Sequence, residues 1–183
     1  MNIVQPESIG LSSKRLTRVS GWLDRQMEEG RLAGGSVLIG RRGQVGYFET
    51  AGVADLDTGE AFSREAIVRA YSMTKPIVTA AAMMLYEEGC FQLDHPISAY
   101  LPEFTSSEVW TGGELSNTVP AESPIAVWHI MSHTSGLTYG FMQSNVVDAE
   151  YRARGIEQPS PNINLEERVK ALSEIPLICH PGS

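Results

Sequence analysis

Residues 70–89 read AYSMTKPIVTAAAMMLYEEG, and this stretch joins two reactive side chains to a long apolar segment. Ser72 and Lys75 stand three residues apart, and the ten residues that follow Lys75 include a single polar side chain. A helix that is apolar on nearly all sides is typical of a protein core. We therefore predict a central, buried helix over residues 73–89, with a hydroxyl and an amine at its N-terminus.

Ser72 and Lys75 form an S-x-x-K pair, a spacing that places both side chains on one face of a helix. Lys75 Nζ can then reach Ser72 Oγ, which is the geometry of a nucleophile and its base. A lysine acts as a base only when neutral, and we expect burial and the helix dipole to disfavour the ammonium form. The backbone N–H of Ser72 is a candidate oxyanion donor. The spacing leaves a structural alternative open, in which Ser72 merely caps the helix and Lys75 is solvated.

The sequence before Ser72 predicts one helix and one β-hairpin. Apolar residues recur every three or four positions in residues 11–34, which is the pattern of a helix with one buried stripe. Two short β-rich runs, residues 34–40 and 44–52, flank the turn sequence RRG and predict an antiparallel hairpin. Residues 66–72 are a candidate third extended segment that leads to the serine.

The sequence after the apolar helix predicts a mainly helical second half. Residues 105–123 are polar and show no periodicity, so we predict a long loop there. Residues 93–104 form a candidate short helix bounded by prolines. Residues 123–137 begin with a serine and a proline at positions favoured at a helix N-terminus and stop at Gly136, so we predict a second short helix there. Residues 144–155 and 164–176 are two more predicted helical segments.

The composition excludes some classes of function. A net charge of −8 weighs against a nucleic-acid partner, which would need a basic face. Cys90 and Cys179 are too few for a disulfide framework, and the first residues lack the pattern of a secretory signal. The longest apolar run, Pro76 to Tyr86, is well short of the roughly 20 residues that cross a bilayer. We therefore expect a cytoplasmic protein with no membrane partner.

Three motifs occur in a specific order along the chain: S-M-T-K-P from residue 72, L-D-x-P-I-x-x-Y-L-P from residue 93 and H-T-S-G-L from residue 133. With them the chain resembles the penicillin-recognising serine hydrolases, in particular the class C β-lactamase group and its esterase branch, the family VIII carboxylesterases. The resemblance implies an α+β fold of the β-lactamase/transpeptidase type, with an antiparallel sheet flanked by helices and an all-helical domain. Residues 1–71 would be the N-terminal part of the α/β domain, and residues 72–183 the nucleophile helix and part of the helical domain.

The resemblance also implies a reaction, the cleavage of small carboxylic esters through an acyl-enzyme. Ser72 would be the acylated nucleophile, Lys75 would accept its proton, and Tyr139 would approach the substrate pocket unless it simply packs under a loop. No metal or organic cofactor is required. A β-lactamase, a D-amino-acid peptidase or an acyltransferase of the same fold stays open, as does an inactive, truncated scaffold.

Two parts of the family's machinery are not found in this sequence. The third catalytic group is a tyrosine that commonly follows a P-G-[ST] turn, and residues 180–183 of this chain read HPGS. The later strand with a K-T-G, H-x-G or W-G-G type motif, which supplies the second oxyanion donor, is also not found. We therefore predict that the 183 residues form the N-terminal half of a hydrolase, with an incomplete sheet. A companion chain or segment would supply the other half.

His129 and His133 have the spacing of a zinc pair on a helix, but position 130 is isoleucine rather than the glutamate of H-E-x-x-H. We predict no metal site here. A capping or core role suits these histidines better.

Overall fold

The computed structural model describes residues 2–157 and 163–183, in which the chain divides into two compact units, Met1–Tyr71 and Ser72–Ser183. Their assignment to the α/β and helical domains of a hydrolase stays a prediction.

The first unit is a helix packed on a hairpin, as the sequence predicts. Helix α1 spans Ser13–Glu28 and buries Leu23 on the side of its apolar stripe. Strands β1 (Gly34–Arg41) and β2 (Gln44–Gly52) pair antiparallel, and α1 lies against both. The turn between them needs two residues with positive φ, a geometry that suits the right-handed twist of a hairpin. The extended segment predicted over residues 66–72 forms no strand, so that prediction is wrong.

The second unit contains four α-helices in its described residues, together with a small sheet. The helices are α2 (Thr74–Glu87), α3 (Val127–Met131), α4 (Val146–Ala153) and α5 (Leu165–Ser173). Residues 93–104, predicted as one short helix, form two 3-10 turns, Ile97–Ala99 and Pro102–Phe104.

The loop predicted over residues 105–123 contains a second hairpin, so that prediction is wrong. Strands β3 (Glu108–Trp110) and β4 (Thr118–Pro120) pair antiparallel, and Leu177 adds a parallel bridge to β3. Leu177 N–H donates to Glu108 O at 2.8 Å, and its carbonyl accepts from Trp110 N–H at 2.8 Å. A backbone segment about 70 positions away completes this sheet, and strands of three residues are too short to show a periodic alternation of apolar and polar residues in the sequence.

Helix α2 forms where the sequence predicts it, but the prediction that it is buried is wrong for the described chain. None of its residues is buried, and several large apolar side chains are more than half exposed. Ile77 is 67% exposed, Val78 59% and Met84 63%. The apolar composition gives a helix the capacity to be central, but burial requires neighbouring elements on every side. The described residues do not supply enough of them to cover α2.

The turn at residues 133–136 is anchored by backbone hydrogen bonds to α3 and to the C-terminal segment, and Thr134 N–H donates to the carbonyl oxygen of His129 at 2.9 Å. His129 is 6% exposed, and its Nδ1 accepts a hydrogen bond from the Ala126 N–H at 2.9 Å. Gly136 O accepts from Ile178 N–H at 2.8 Å, and Thr134 O accepts from Gly182 N–H at 2.7 Å. Of the two histidines, the core role therefore belongs to His129, whereas His133 is exposed.

Burial lowers the pKa of His129 below its ordinary value of 6.5, which predicts a loss of stability in mild acid. Below that pH the unfolded chain binds a proton that the folded His129 does not bind, so the free energy of unfolding falls as the pH falls. Above it, both states are neutral and the contribution is complete. We expect a slope of at most about 1.4 kcal/mol per pH unit from this residue, measured by urea denaturation between about pH 7.5 and about pH 5.5.

The control variant is His129→Asn, whose amide oxygen can still accept from Ala126 N–H but does not titrate. The wild type should lose more stability than His129→Asn over this interval. Parallel curves for the two proteins would contradict the assignment.

Candidate active site

Ser72 and Lys75 are joined by a hydrogen bond at the beginning of α2. Ser72 lies in a 3-10 turn, Tyr71–Met73, and Lys75 is in the first turn of the helix that follows. Lys75 Nζ donates to Ser72 Oγ at 3.1 Å. The N-cap residue of α2 is Met73, and no side chain caps the helix in the described part of the chain. The hydroxyl is thus engaged by the amine rather than by the backbone, which argues against Ser72 as a simple cap.

The backbone just before Ser72 adopts a left-handed conformation, with φ of 46° at Tyr71. Such a conformation costs a residue with a side chain on the order of 1–2 kcal/mol. Strained residues of this kind persist where the surrounding structure holds them, and they cluster at active sites. The feature independently marks residue 72 as a position worth testing.

The amine of Lys75 does not have the apolar shield that the sequence predicts. Ser72 and Lys75 are both exposed, and so are the neighbouring apolar side chains Ile77 and Val78. Within the described residues, α2 therefore does not remove water from around the pair. Desolvation of the Lys75 amine has to come from atoms other than the side chains of α2.

The aromatic ring of Tyr139 lies beside the amine of Lys75. Lys75 Nζ is 5.8 Å from the centroid of the Tyr139 ring, and the ring is stacked on Phe141 with centroids 4.9 Å apart. An ammonium over an aromatic face is worth about 0.5–1 kcal/mol at an exposed site. Tyr139 is 37% exposed. The three residues thus lie close together, and the catalytic roles of Ser72 and Lys75 and the pocket role of Tyr139 stay predictions.

Sequence reasoning missed Phe141, Asp148 and Arg152. Phe141 is 65% exposed and extends the aromatic surface that begins at Tyr139. Asp148 and Arg152 lie one turn apart on α4 and bond to the segment that carries both rings. Their spacing of four residues on a predicted helix was the available signal, but it is common on solvated helices as well.

The sequence profile of the Beta-lactamase family matches residues 19–183 of this chain. The chain belongs to the Beta-lactamase family. Its similarity to individual members is moderate. It is 34% identical over 157 residues to Protein Rv1367c of Mycobacterium tuberculosis, a match that covers 85% of this chain and 38% of that protein. It is 30% identical over 183 residues to the esterase EstB of Burkholderia gladioli, a match that covers 98% of this chain and 44% of EstB.

A solved structure confirms the fold of this Beta-lactamase family chain. EstCE1, described as a hydrolase with promiscuous acyltransferase activity, superposes with a TM-score of 0.74 at 32% identity. The superposition covers 91% of this chain and 42% of EstCE1. The α+β fold of the β-lactamase/transpeptidase type and the resemblance to esterases of this fold are therefore confirmed.

The chain spans about 40% of the length of the relatives named above, 38% of Rv1367c, 44% of EstB and 42% of EstCE1. Among residues 2–157 and 163–183, no helix combines the length and the apolar character that a membrane crossing requires.

Proposed function

We propose that this chain carries the acylation site of a serine esterase, with Ser72 as nucleophile and Lys75 as its base. The observation that carries the proposal is the 3.1 Å hydrogen bond from Lys75 Nζ to Ser72 Oγ at the start of α2. The similarity of the chain to the esterase EstB and to EstCE1 supports a carboxylic ester as substrate.

In the first step, Ser72 Oγ attacks the ester carbonyl carbon and gives its proton to neutral Lys75 Nζ. The new bond pushes an electron pair onto the carbonyl oxygen, for which the backbone N–H of Ser72 is a candidate hydrogen-bond donor. When the intermediate collapses, the bond to the alcohol oxygen breaks and the departing alkoxide takes a proton. We propose that this proton comes from Lys75 through a tyrosine outside the present sequence. Water then cleaves the acyl-enzyme and releases the carboxylic acid.

The companion chain or segment predicted from the sequence would also cover α2. Two findings support it: the exposed apolar face of this helix and the 38–44% coverage of the relatives. Desolvation of Lys75, which a neutral amine needs, would then come from that segment. The cytoplasmic location stays a prediction from the sequence alone.

The proposal is tested with a fluorophosphonate probe and with p-nitrophenyl butyrate, on the full-length protein and on residues 1–183 alone. We expect the full-length protein to label and to turn over, Ser72→Ala to do neither, and the short chain to show no turnover. Ser132→Ala, which removes another exposed hydroxyl of the same unit, is the matched control and should behave as wild type. Labelling that survives Ser72→Ala, or its absence from the full-length wild type, would refute the assignment.

A second candidate is transfer of the acyl group to an alcohol instead of water, which the description of EstCE1 favours. The acyl-enzyme is common to both reactions, and the acceptor alone differs. Product analysis with an added alcohol measures the partition between the new ester and the free acid.

A further inference from the structure

Residues 138–144, here called the aromatic loop, carry Tyr139 and Phe141 past the amine of Lys75. Their ring planes are stacked at an angle of 29°, and the centroid of the Tyr139 ring lies 5.8 Å from Lys75 Nζ. The regular secondary structure of this loop is one 3-10 turn, Gly140–Met142. Gln143 adopts a left-handed φ of 52°. Something other than its own secondary structure must therefore fix the position of the loop.

Asp148 of α4 bonds to both ends of the aromatic loop. Its carboxylate is fully buried, and the two oxygens act separately. Oδ1 accepts from the Thr138 hydroxyl at 2.8 Å, and Oδ2 accepts from the Ser144 N–H at 2.8 Å. One side chain thus connects the residue before Tyr139 to the last residue of the loop.

Arg152, one helical turn further along α4, holds the middle of the loop. Its guanidinium donates to the carbonyl oxygen of Gly140, the residue between the two aromatic rings. Gly140 also packs closely on Arg152, since an added Cβ would lie 3.0 Å from Arg152 Cγ and 3.4 Å from its backbone nitrogen. Residues four apart share one face of a helix, so Asp148 and Arg152 grip the loop from the same face of α4.

A buried carboxylate is costly unless hydrogen bonds compensate for its lost hydration. Both oxygens of Asp148 are compensated by groups of the aromatic loop. The backbone N–H of Asp148 serves the helix end separately, because it donates to Asn145 Oδ1 at 2.9 Å. The hydrogen bond at the start of α4 therefore uses the backbone of Asp148, and its carboxylate bonds only to the aromatic loop among the contacts described above.

We propose that Asp148 is a positioning residue that holds Tyr139 and Phe141 as one wall of the acyl pocket beside Ser72. This inference rests on the proposed function. Asp148 does not touch the reacting atoms and acts only through the loop. The aromatic wall suits the apolar acyl group of an ester, and its distance from Ser72 decides which acyl groups fit.

The test compares kcat/KM of the full-length protein for p-nitrophenyl acetate, butyrate and octanoate. Asp148→Ala should lower kcat/KM about 10- to 100-fold, and the ratio between the three esters should change, because misplacement of a positioning group has effects of this size. In a Tyr139→Ala background the same change should cost less than about threefold, because the two residues act as a unit.

Three further variants separate positioning from general damage. Thr138→Val removes one of the two hydrogen bonds to the Asp148 carboxylate and should shift the ratio of kcat/KM between the three esters in the same direction as Asp148→Ala. Thr138→Ser keeps the hydroxyl and should keep the wild-type ratio. Glu150→Ala alters α4 at a side chain that pairs with Arg154 at 2.6 Å rather than with the loop, and it should behave as wild type. If Asp148→Ala does not fold, the comparison of Thr138→Val with Thr138→Ser decides whether the bond to Asp148 positions the loop.

Hydrogen exchange of the backbone amides tests whether Asp148 holds the aromatic loop, and it does not depend on enzymatic activity. The Ser144 amide, which donates to Asp148, should exchange at least about tenfold faster in Asp148→Ala than in Glu150→Ala. A wild type without esterase activity would refute the proposed function, and the exchange data would still decide whether Asp148 positions the loop. Unchanged exchange at residues 138–144, or fully additive losses in the double variant, would overturn the inference.

Discussion

Replacing Lys75 by methionine is expected to slow the acylation of Ser72 by about 10²- to 10⁴-fold in the full-length protein, which is the usual contribution of a general base. Methionine keeps the length of the side chain but cannot accept a proton. The loss should appear in the pre-steady-state burst with p-nitrophenyl butyrate, because the burst reports the acylation step alone.

Two control variants identify what Lys75 contributes. Lys75→Arg keeps a positive charge and donors near Ser72 Oγ but cannot deprotonate in a protein, so it should be as slow as Lys75→Met. Lys170→Met removes an exposed lysine on α5 and should leave the burst unchanged. If Lys75→Arg retains most of the activity, Lys75 acts as a fixed charge and the base must be sought elsewhere.

Gly136→Ala is expected to destabilise the second unit by about 3 kcal/mol or more, which is a large part of the stability of an ordinary domain. The residue has φ of 85°, and an added Cβ would lie 2.3 Å from the carbonyl oxygen of Cys179 and 3.1 Å from Leu177 Cβ. Backbone atoms cannot yield as a flexible side chain does. The substitution would therefore separate the turn from residues 177–179, whose Ile178 N–H bonds to Gly136 O.

Gly89→Ala separates the two causes of this destabilisation. Gly89 has a similar φ of 77°, but no described atom lies within 4 Å of an added Cβ. It should therefore cost only about 1 kcal/mol, the cost of the left-handed backbone. Urea denaturation of both variants, followed by far-UV circular dichroism, measures the difference. Equal losses would mean that the contact with Cys179 is relieved without cost.

The parts of this structure that the sequence predicts well are those fixed by neighbouring residues. The S-x-x-K spacing sets the Ser72–Lys75 contact within one helical turn, and the R-R-G turn sets the first hairpin. The position of Tyr139 beside Lys75 was implied by the family resemblance, since the two residues are 64 positions apart. Periodicity carries no information about such a distance.

The predictions that are wrong depended on partners distant in the sequence. Burial of α2 was inferred from composition, but the composition of a helix does not state what covers it. The sequence does not predict the β3–β4 hairpin, because its third partner, Leu177, is remote and its strands have three residues each. The proposed role of Asp148 could not be predicted from the sequence either. An aspartate near the beginning of a helix usually interacts with the helix end, and nothing in the sequence indicates that this one bonds to a loop.

The hydrogen bonds between α4 and the aromatic loop have a practical consequence for enzyme engineering. Its hydrogen bonds end at Thr138, Gly140 and Ser144, whereas Phe141 and Met142 are 65% and 56% exposed at the tip. Randomising the two tip codons while keeping the α4 side intact varies the shape of the pocket wall without releasing its supports. A library of this size can be screened completely, so selectivity toward bulky or branched esters becomes a tractable target for directed evolution.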